Sequence, residues 1–391
     1  MDVKTADTSS ADKIRFATTV FFFISGFGYS SWASRIPSIQ QQLQLNEAEL
    51  GGVLLAAPIG LMITMPFTSR LLSKVNSKKI MLMGALLFNL VLCLPGFTDK
   101  TWQLVVTLLC FGSTRNLLNL SANSQAVGVQ KFYPKSIMTT FHGIWSLAGF
   151  AGAAVGLLMI SLNIGTRFHL VAVSIVLMFL SLFFYKNTLE QPPVKQEKRP
   201  FFSLPDKHLM KFALICFGCM SCENTMYDWG AIYFQKIVHA TKPASTAAFV
   251  IYMVFMTIGR FFGDRLVNKI GIKKILNLCG WFILSGLILA VGIPYLIPAA
   301  IGFALVGLGV SCIVPLVFSM AGRSKTMSSG QALAAISTVG YIGFLLMPPF
   351  VGFVAQAFNL RWSFGIIAIL GFVIILMVST IKEEKGGATA T

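Results

Sequence analysis

Ionisable side chains are rare inside the apolar stretches of this sequence, so the few that occur there are the first candidates for chemistry. Of the 14 acidic residues, Glu223 and Asp228 lie well inside an apolar run, and Arg115 is the deepest base in another. A charged group at the centre of a bilayer costs about 2.5–3.5 kcal/mol even on a lenient scale. Each of the three is therefore either functional or tightly constrained by packing.

The position of Glu223 suits a group that exchanges a proton. It lies twelve residues beyond Lys211, which is about 18 Å along a helix. A carboxyl group in so apolar a place is able to bind a proton near neutral pH. Asp228 lies on another face of the same helix, because five residues turn it by about 140°. We predict proton-coupling roles for Glu223, Asp228 and His142, with a structural, hydrogen-bonded role as the alternative for each.

A polar stripe begins at Arg115 and continues through Asn119 and Asn123. Spacings of four place the three residues on one helix face. That face has to meet a cavity or a partner helix rather than lipid. Arg115 either binds an anionic group of a ligand, pairs with Glu223, or has a structural role.

Several further residues are candidates for contact with a ligand. Trp145 shares a helix face with His142 and either stacks on a sugar ring or fills space between helices. The predicted ligand-binding residues are Arg115, Asn119, Asn123, Trp145, Asn224, Tyr252, Gln331 and Tyr341. No paired nucleophile and base, nucleotide loop or metal cluster is apparent, so we expect no enzyme activity, no cofactor and no metal.

Two runs of small residues predict helix packing rather than chemistry. Cys216, Cys219 and Cys222 follow a C-x-x-C-x-x-C spacing, but no fourth metal ligand is apparent and all three lie in an apolar run. Gly149, Gly152 and Gly156 permit close contact between helices.

The composition requires lipid as a solvent. The 391 residues are 55% hydrophobic and 12% charged, about half the charged share of a soluble domain. The net charge of +17 does not indicate a nucleic-acid ligand, because the basic residues lie between apolar runs rather than in a tail.

Twelve apolar runs predict an all-α membrane protein with twelve transmembrane helices in two six-helix bundles. The runs lie at about 16–34, 50–69, 80–97, 102–129, 138–162, 167–185, 210–234, 244–263, 275–292, 294–321, 330–357 and 362–381. The predicted domains are an N-terminal bundle at 1–186, a cytoplasmic linker at 187–208 and a C-terminal bundle at 209–391.

The basic residues of the loops predict the orientation. With the N-terminus in the cytoplasm, 24 Lys and Arg residues, Arg260 among them, fall on the cytoplasmic side and 6 on the outer side. Arg115 is the one base left inside a span. This asymmetry favours two cytoplasmic termini in a multi-pass protein of the bacterial inner membrane.

An internal repeat relates the two halves. Segments 69–80 and 264–275 share Arg, Leu, Lys, Lys, Lys and Ile at a constant offset of 195 residues. A half-length repeat of the same orientation is typical of two-bundle transporters.

At this loop the chain resembles the major facilitator superfamily. The second copy keeps the family's loop marker as Gly263, Asp264, Arg265, Gly271, Lys273 and Lys274, whereas Ser69 and Asn76 replace the acid and the glycine in the first copy. The resemblance implies an inner gate that contains Asp264 and Arg265 with Arg70 and Lys74. We also predict a gate role for Arg35.

Finer features resemble a bacterial sub-branch that is often grouped with fucose-permease-like proteins. They are the segments 32–37, 141–146, 223–229 and 340–344, the last with Pro348 and Pro349. The resemblance implies the fold but carries no substrate signature. From Glu223 and the Arg115 stripe we predict a secondary active transporter for a small polar solute, such as a sugar or sugar-like compound, that works by alternating access and proton symport. The alternative is proton-driven efflux of drugs or metabolites. The expected partners are the solute, protons and the lipid bilayer, without nucleic acid, and the expected state is a monomer.

Overall fold

A computed structural model describes residues 8–133, 137–193, 205–207, 209–322, 327 and 329–381. The side chain of Asp264 lies outside this description, and so do residues 194–204 of the predicted linker. Within the described ranges the regular secondary structure is helical.

The six apolar runs of the first half correspond to eight α-helices. They are α1 (Thr8–Ala33), α2 (Ile36–Gln42), α3 (Glu47–Leu54), α4 (Ala56–Leu72), α5 (Ser77–Cys93), α6 (Thr101–Gln130), α7 (Met138–Ser161) and α8 (Thr166–Tyr185), with a 3-10 turn at Leu94–Phe97. The short α2 is not predicted by the apolar runs, and the second run divides at Leu55 into α3 and α4. A capping box starts α3, because Asn46 and Glu49 each accept the other's backbone N–H at 2.9 Å.

The six apolar runs of the second half correspond to one helix each. They are α9 (Met210–Lys236), α10 (Lys242–Ile270), α11 (Ile272–Gly292), α12 (Leu296–Ala321), α13 (Ser329–Ala357) and α14 (Leu360–Ser379).

The internal repeat keeps its register at the start of a helix. Asn76 precedes α5 and Gly271 precedes α11, and these positions are 195 residues apart. Asn76 caps α5 by accepting the N–H of Lys78 at 2.9 Å. Gly271 has a φ of 85°, which favours glycine, and it turns the chain directly from α10 into α11. The two copies thus place a helix start at the same point by different means.

Ten of the described segments are long and apolar enough to cross a membrane. Helices α3 and α4 together form one of them, Glu47–Leu72. The other two predicted spans are α1 and α9, which have 26 and 27 residues and are long enough, but no stretch of membrane length within them has as high a mean hydropathy as in the ten. Of the twelve predicted spans, ten therefore contain a continuous apolar stretch of membrane length in the described residues, and α1 and α9 do not.

By their packing, the residues form two compact units. The first unit contains Met1–Lys198, Met226–Val254 and Pro348–Leu360, and the second contains Arg199–Thr225, Phe255–Met347 and Arg361–Thr391. The predicted boundaries at 186 and 209 stay a prediction.

Close backbone contact joins α1 to α7 in the first unit. A Cβ atom at Gly152 would collide with the carbonyl oxygen of Phe27, and one at Gly26 would collide with the carbonyl oxygen of Trp145. The expected role of the α7 glycines in close helix contact is confirmed at Gly152. This contact fixes the position of the Trp145 backbone.

Candidate functional site

Glu223 forms an ion pair inside the second unit. It lies at the midpoint of α9, thirteen residues from either end, and is 8% exposed. Its Oε1 lies 3.5 Å from an Nη of Arg260 in α10. The Nε of Arg260 donates to the carbonyl oxygen of Ser311 in α12 at 3.4 Å. The pair therefore joins three helices and neutralises a carboxylate in an apolar environment.

The role of Arg260 differs from what the sequence indicated. Arg260 counted among the cytoplasmic loop residues, which left Arg115 as the one base inside a span. The structure corrects this, because Arg260 lies within the apolar segment Lys242–Gly263 and α10 continues for ten residues beyond it. Both bases are thus inside apolar helices.

Asn224 and Asp228 follow Glu223 on α9 and are both buried. The Nδ2 of Asn224 donates to the carbonyl oxygen of Phe344 in α13 at 3.5 Å, a long bond that ties the two helices together. Asp228 is 9% exposed and belongs to the first unit, whereas Glu223 belongs to the second. The different roles expected for the two acids stay a prediction.

Arg115 lies on an aromatic ring in the first unit. It is near the midpoint of α6, and its guanidinium carbon is 3.7 Å from the centroid of the Tyr29 ring. Tyr29 also contacts the rings of Phe111 and Tyr227, with centroids 6.4 and 5.1 Å away. The Nε of Arg115 is buried and has no hydrogen-bond partner in the described residues. The base is thus held by an aromatic face.

A hydrogen-bond chain orients Asn119 beside Arg115. Trp145 Nε1 donates to Ser25 Oγ at 3.3 Å, and Ser25 Oγ donates to Asn119 Oδ1 at 2.6 Å. Asn123 donates its Nδ2 to the backbone carbonyl of Asn119 at 2.8 Å. Two predicted ligand-binding residues, Trp145 and Asn119, are therefore connected through Ser25.

The remaining ligand and proton candidates differ in burial. Tyr252 is fully buried against Tyr227 and Phe249. His142 is exposed, and its ring meets the Phe22 ring edge-on, with the centroids 5.7 Å apart. Gln331 is exposed and Tyr341 is half-buried. Their assigned roles stay predictions.

The predicted gate residues fall into two groups. Arg70, Lys74 and Arg265 are exposed near the ends of α4 and α10, while the side chain of Asp264 lies outside the described residues. Arg35 is 3% exposed and is held at the end of α1. Its Nε donates to His169 Nδ1, and an Nη donates to the carbonyl oxygen of Ile164, both at 2.9 Å.

The buried cysteines point to different neighbours. Cys219 Sγ faces the carbonyl oxygen of Val310 at 3.6 Å, and Cys222 Sγ faces that of Ile367 at 4.0 Å. Their spacing therefore serves contacts of α9 with two other helices.

Sequence reasoning missed the partners that hold the candidate residues. Arg260, Tyr29, Ser25 and His169 were not singled out. For Arg260 a signal existed, since the apolar run of α10 continues past it. For Tyr29 and Ser25 no signal distinguished them from other residues of α1.

The chain matches the family model of the Major Facilitator Superfamily over residues 18–324 and 212–390. It is 33% identical to an uncharacterized MFS-type transporter of Yersinia pestis over 359 residues, which are 90% of this chain and 92% of that protein. It is 26% identical to a putative glucose/galactose transporter of Helicobacter pylori over 204 residues, 50% of this chain and 49% of that protein. The crystal structure of a mutant of the nucleoside transporter NupG aligns with a TM-score of 0.75 at 13% identity, covering 95% of this chain and 100% of that one.

The chain therefore belongs to the major facilitator superfamily. It is a multi-pass membrane protein with the twelve-helix fold of these transporters. The resemblance to a fucose-permease-like sub-branch stays a prediction.

Proposed function

We propose that this chain uses a proton gradient to import a small polar solute across the bacterial inner membrane by alternating access, as a monomer with both termini in the cytoplasm. The observation that carries the proposal is the ion pair between Glu223 and Arg260. A proton on Glu223 removes the negative charge that balances Arg260. The pair then weakens, and the contacts between α9, α10 and α12 change with it. Proton binding is in this way coupled to the arrangement of helices.

The solute class rests on two observations of different kinds. The Arg115–Asn119–Asn123 stripe of α6 offers polar groups at the middle of a helix. The Helicobacter pylori relative is named a putative glucose/galactose transporter and the solved structure is named a nucleoside transporter, and both names refer to small polar solutes. Both favour a small polar solute over a lipophilic cation.

Proteoliposomes containing a pH-sensitive dye test the coupling role of Glu223. A library of polar solutes is added to vesicles that contain the wild-type protein, and solutes that move protons are identified. We expect Glu223→Gln to stop solute-driven proton movement but to retain solute exchange between the two sides, because the amide imitates the protonated carboxyl group. Asp99→Asn is the matched control, since Asp99 is exposed in a loop.

Proton movement by Glu223→Gln at the wild-type rate, with the same solute, would show that coupling lies elsewhere. The direction of transport is tested in native vesicles. Gradient-driven accumulation in inside-out vesicles, rather than right-side-out ones, would identify efflux instead.

A further inference from the structure

We propose that the solute is a hydroxylated carboxylate with one negative charge, as a sugar acid is, and that Arg115 and Asn119 bind its carboxylate. This inference rests on the proposed transport function and narrows its substrate class. It is carried by the unbalanced charge of Arg115 and by the hydrogen-bonding groups that lie beside it.

The charge of Arg115 has no acidic partner within the described part of the chain. Its guanidinium packs against Tyr29, its Nε is buried without a hydrogen bond, and no other hydrogen bond or ion pair of its side chain is present there. Arg115 is half-buried, and an aromatic ring compensates only part of its charge. A guanidinium with unused donors in an apolar environment binds a carboxylate more strongly than a neutral group, through charge-assisted hydrogen bonds.

Asn119 adds a donor one helical turn away. Its Oδ1 already accepts from Ser25, which Trp145 in turn holds in place. The hydrogen bonds of Asn119 within the described residues use its Oδ1 and its backbone carbonyl, so the amide Nδ2 is the group left to meet a ligand. Arg115 and Asn119 therefore present donors on the same helix face, as recognition of an anion requires.

Asn123 continues this face with an acceptor. Its Nδ2 is used by the backbone carbonyl of Asn119, which leaves its Oδ1 for a donor such as a hydroxyl group. The order along α6 is thus two donor groups and then an acceptor. A carboxylate followed by a hydroxyl-bearing carbon chain matches this order.

The number of charges distinguishes a carboxylate from a phosphate ester. Among the described residues, the second base near the middle of an apolar segment is Arg260, which is already balanced by Glu223. One unpaired guanidinium neutralises one negative charge. A phosphate dianion would leave a charge uncompensated, at a high cost in an apolar site.

Binding to the purified full-length protein tests the inference without any gradient. The probes are gluconate, glucuronate and galacturonate, with glucose and galactose as neutral counterparts and glucose 6-phosphate as the dianion. We expect at least one sugar acid to raise the unfolding temperature, while the neutral sugars do not at equal concentration. Arg115→Gln should weaken that binding by about 30-fold or more, the scale of losing one partner of a buried charge pair. Arg115→Lys, which retains the charge, should lose less.

Arg167→Gln is the matched control, because Arg167 also packs on a ring of the first unit, with its guanidinium 4.2 Å from the Phe97 centroid, but outside the stripe. It should bind the acid as the wild type does. The inference is overturned if no sugar acid stabilises the protein, if the neutral sugars or the phosphate ester bind more tightly, or if Arg115→Gln binds the acid unchanged. Proton movement driven by a neutral sugar would then still support the transport function, so the two failures are distinguishable.

Discussion

At the level of single residues, Arg260 and Arg115 balance their charges differently. Arg260 faces a carboxylate at 3.5 Å, whereas Arg115 rests on the ring of Tyr29. Loss of one member of an ion pair leaves a charge without compensation, while loss of a guanidinium from a ring leaves no opposite charge behind. Substitutions at the two bases should therefore affect stability by different amounts.

We expect Arg260→Gln to lower the stability of the folded protein by about 3 kcal/mol, because it leaves Glu223 without its counter-ion in an apolar environment. Adding Glu223→Gln should restore most of the loss, since the double variant has no buried charge at this place. Thermal unfolding in detergent measures both effects. If the double variant is as unstable as Arg260→Gln, the pair does not stabilise the fold in the way described.

Arg35 offers a second test of a buried base. Burial lowers the pKa of Arg35 to about 10, which leaves it charged at neutral pH. We expect Arg35→Gln to destabilise the protein by about 2–3 kcal/mol, through its lost bonds to His169 and Ile164. Arg361→Gln is the control, because Arg361 also donates to two carbonyl groups but is exposed.

Arg361→Gln should change the free energy of unfolding by no more than about 0.5 kcal/mol. A similar loss in both variants, measured by thermal unfolding, would contradict the importance of burial at Arg35. A change in transport per folded molecule, at unaltered stability, would instead favour the predicted gate role.

The sequence was sufficient to find the buried charges but not their partners. The high cost of a charge in lipid identifies Glu223 and Arg115 without any structure. Arg260 was missed because a base near the end of an apolar run looks like a loop residue until the end of the helix, at Ile270, is known. Tyr29 becomes distinctive only through the approach of α1 to α6.

At the level of elements, α3 and the end of α13 approach closely within the first unit. A Cβ at Gly51 would lie 2.6 Å from the carbonyl oxygen of Pro348, and one at Gly352 would collide with that of Glu47. The carboxylate of Glu47 also pairs with Lys236 at the end of α9. Backbone contact and an ion pair therefore meet at the start of α3.

We expect Gly51→Ala to destabilise this contact, because the added methyl group forces α3 away from Pro348. Gly52→Ala is the adjacent substitution for comparison, since nothing lies within 4 Å of its Cβ. There the better helix propensity of alanine should stabilise the protein by up to about 1 kcal/mol. Thermal unfolding compares the two variants, and an equal response of both would contradict the close contact.

The elements themselves were largely predictable, because apolar runs of membrane length have few alternatives to helix. The division at Leu55 was not predictable in this way, because the apolar pattern continues through it without interruption. The short α2 was not predictable either, because its apolar pattern is weak. The repeat was informative in a different respect. It fixed equivalent helix starts at Asn76 and Gly271, although their backbones differ.

At the level of the whole molecule, the loop charges predict the orientation in the membrane. Moving Arg260 from the loops into a span changes the cytoplasmic count from 24 to 23 against 6, so the asymmetry persists. We expect a fluorescent protein fused to the C-terminus to fluoresce, and alkaline phosphatase at the same place to be inactive, because both report a cytoplasmic end. Phosphatase fused after Lys100 should be active, and the opposite pattern would invert the topology.

The polarity of α9 has a consequence for biosynthesis. A helix with Glu223 at its centre inserts unfavourably into the bilayer by itself, because lipid supplies no counter-charge. The base that balances it is 37 positions later in the chain and emerges from the ribosome afterwards. Helix α9 has to be retained beside the translocon until α10 has been made, so that the two enter the bilayer as a pair.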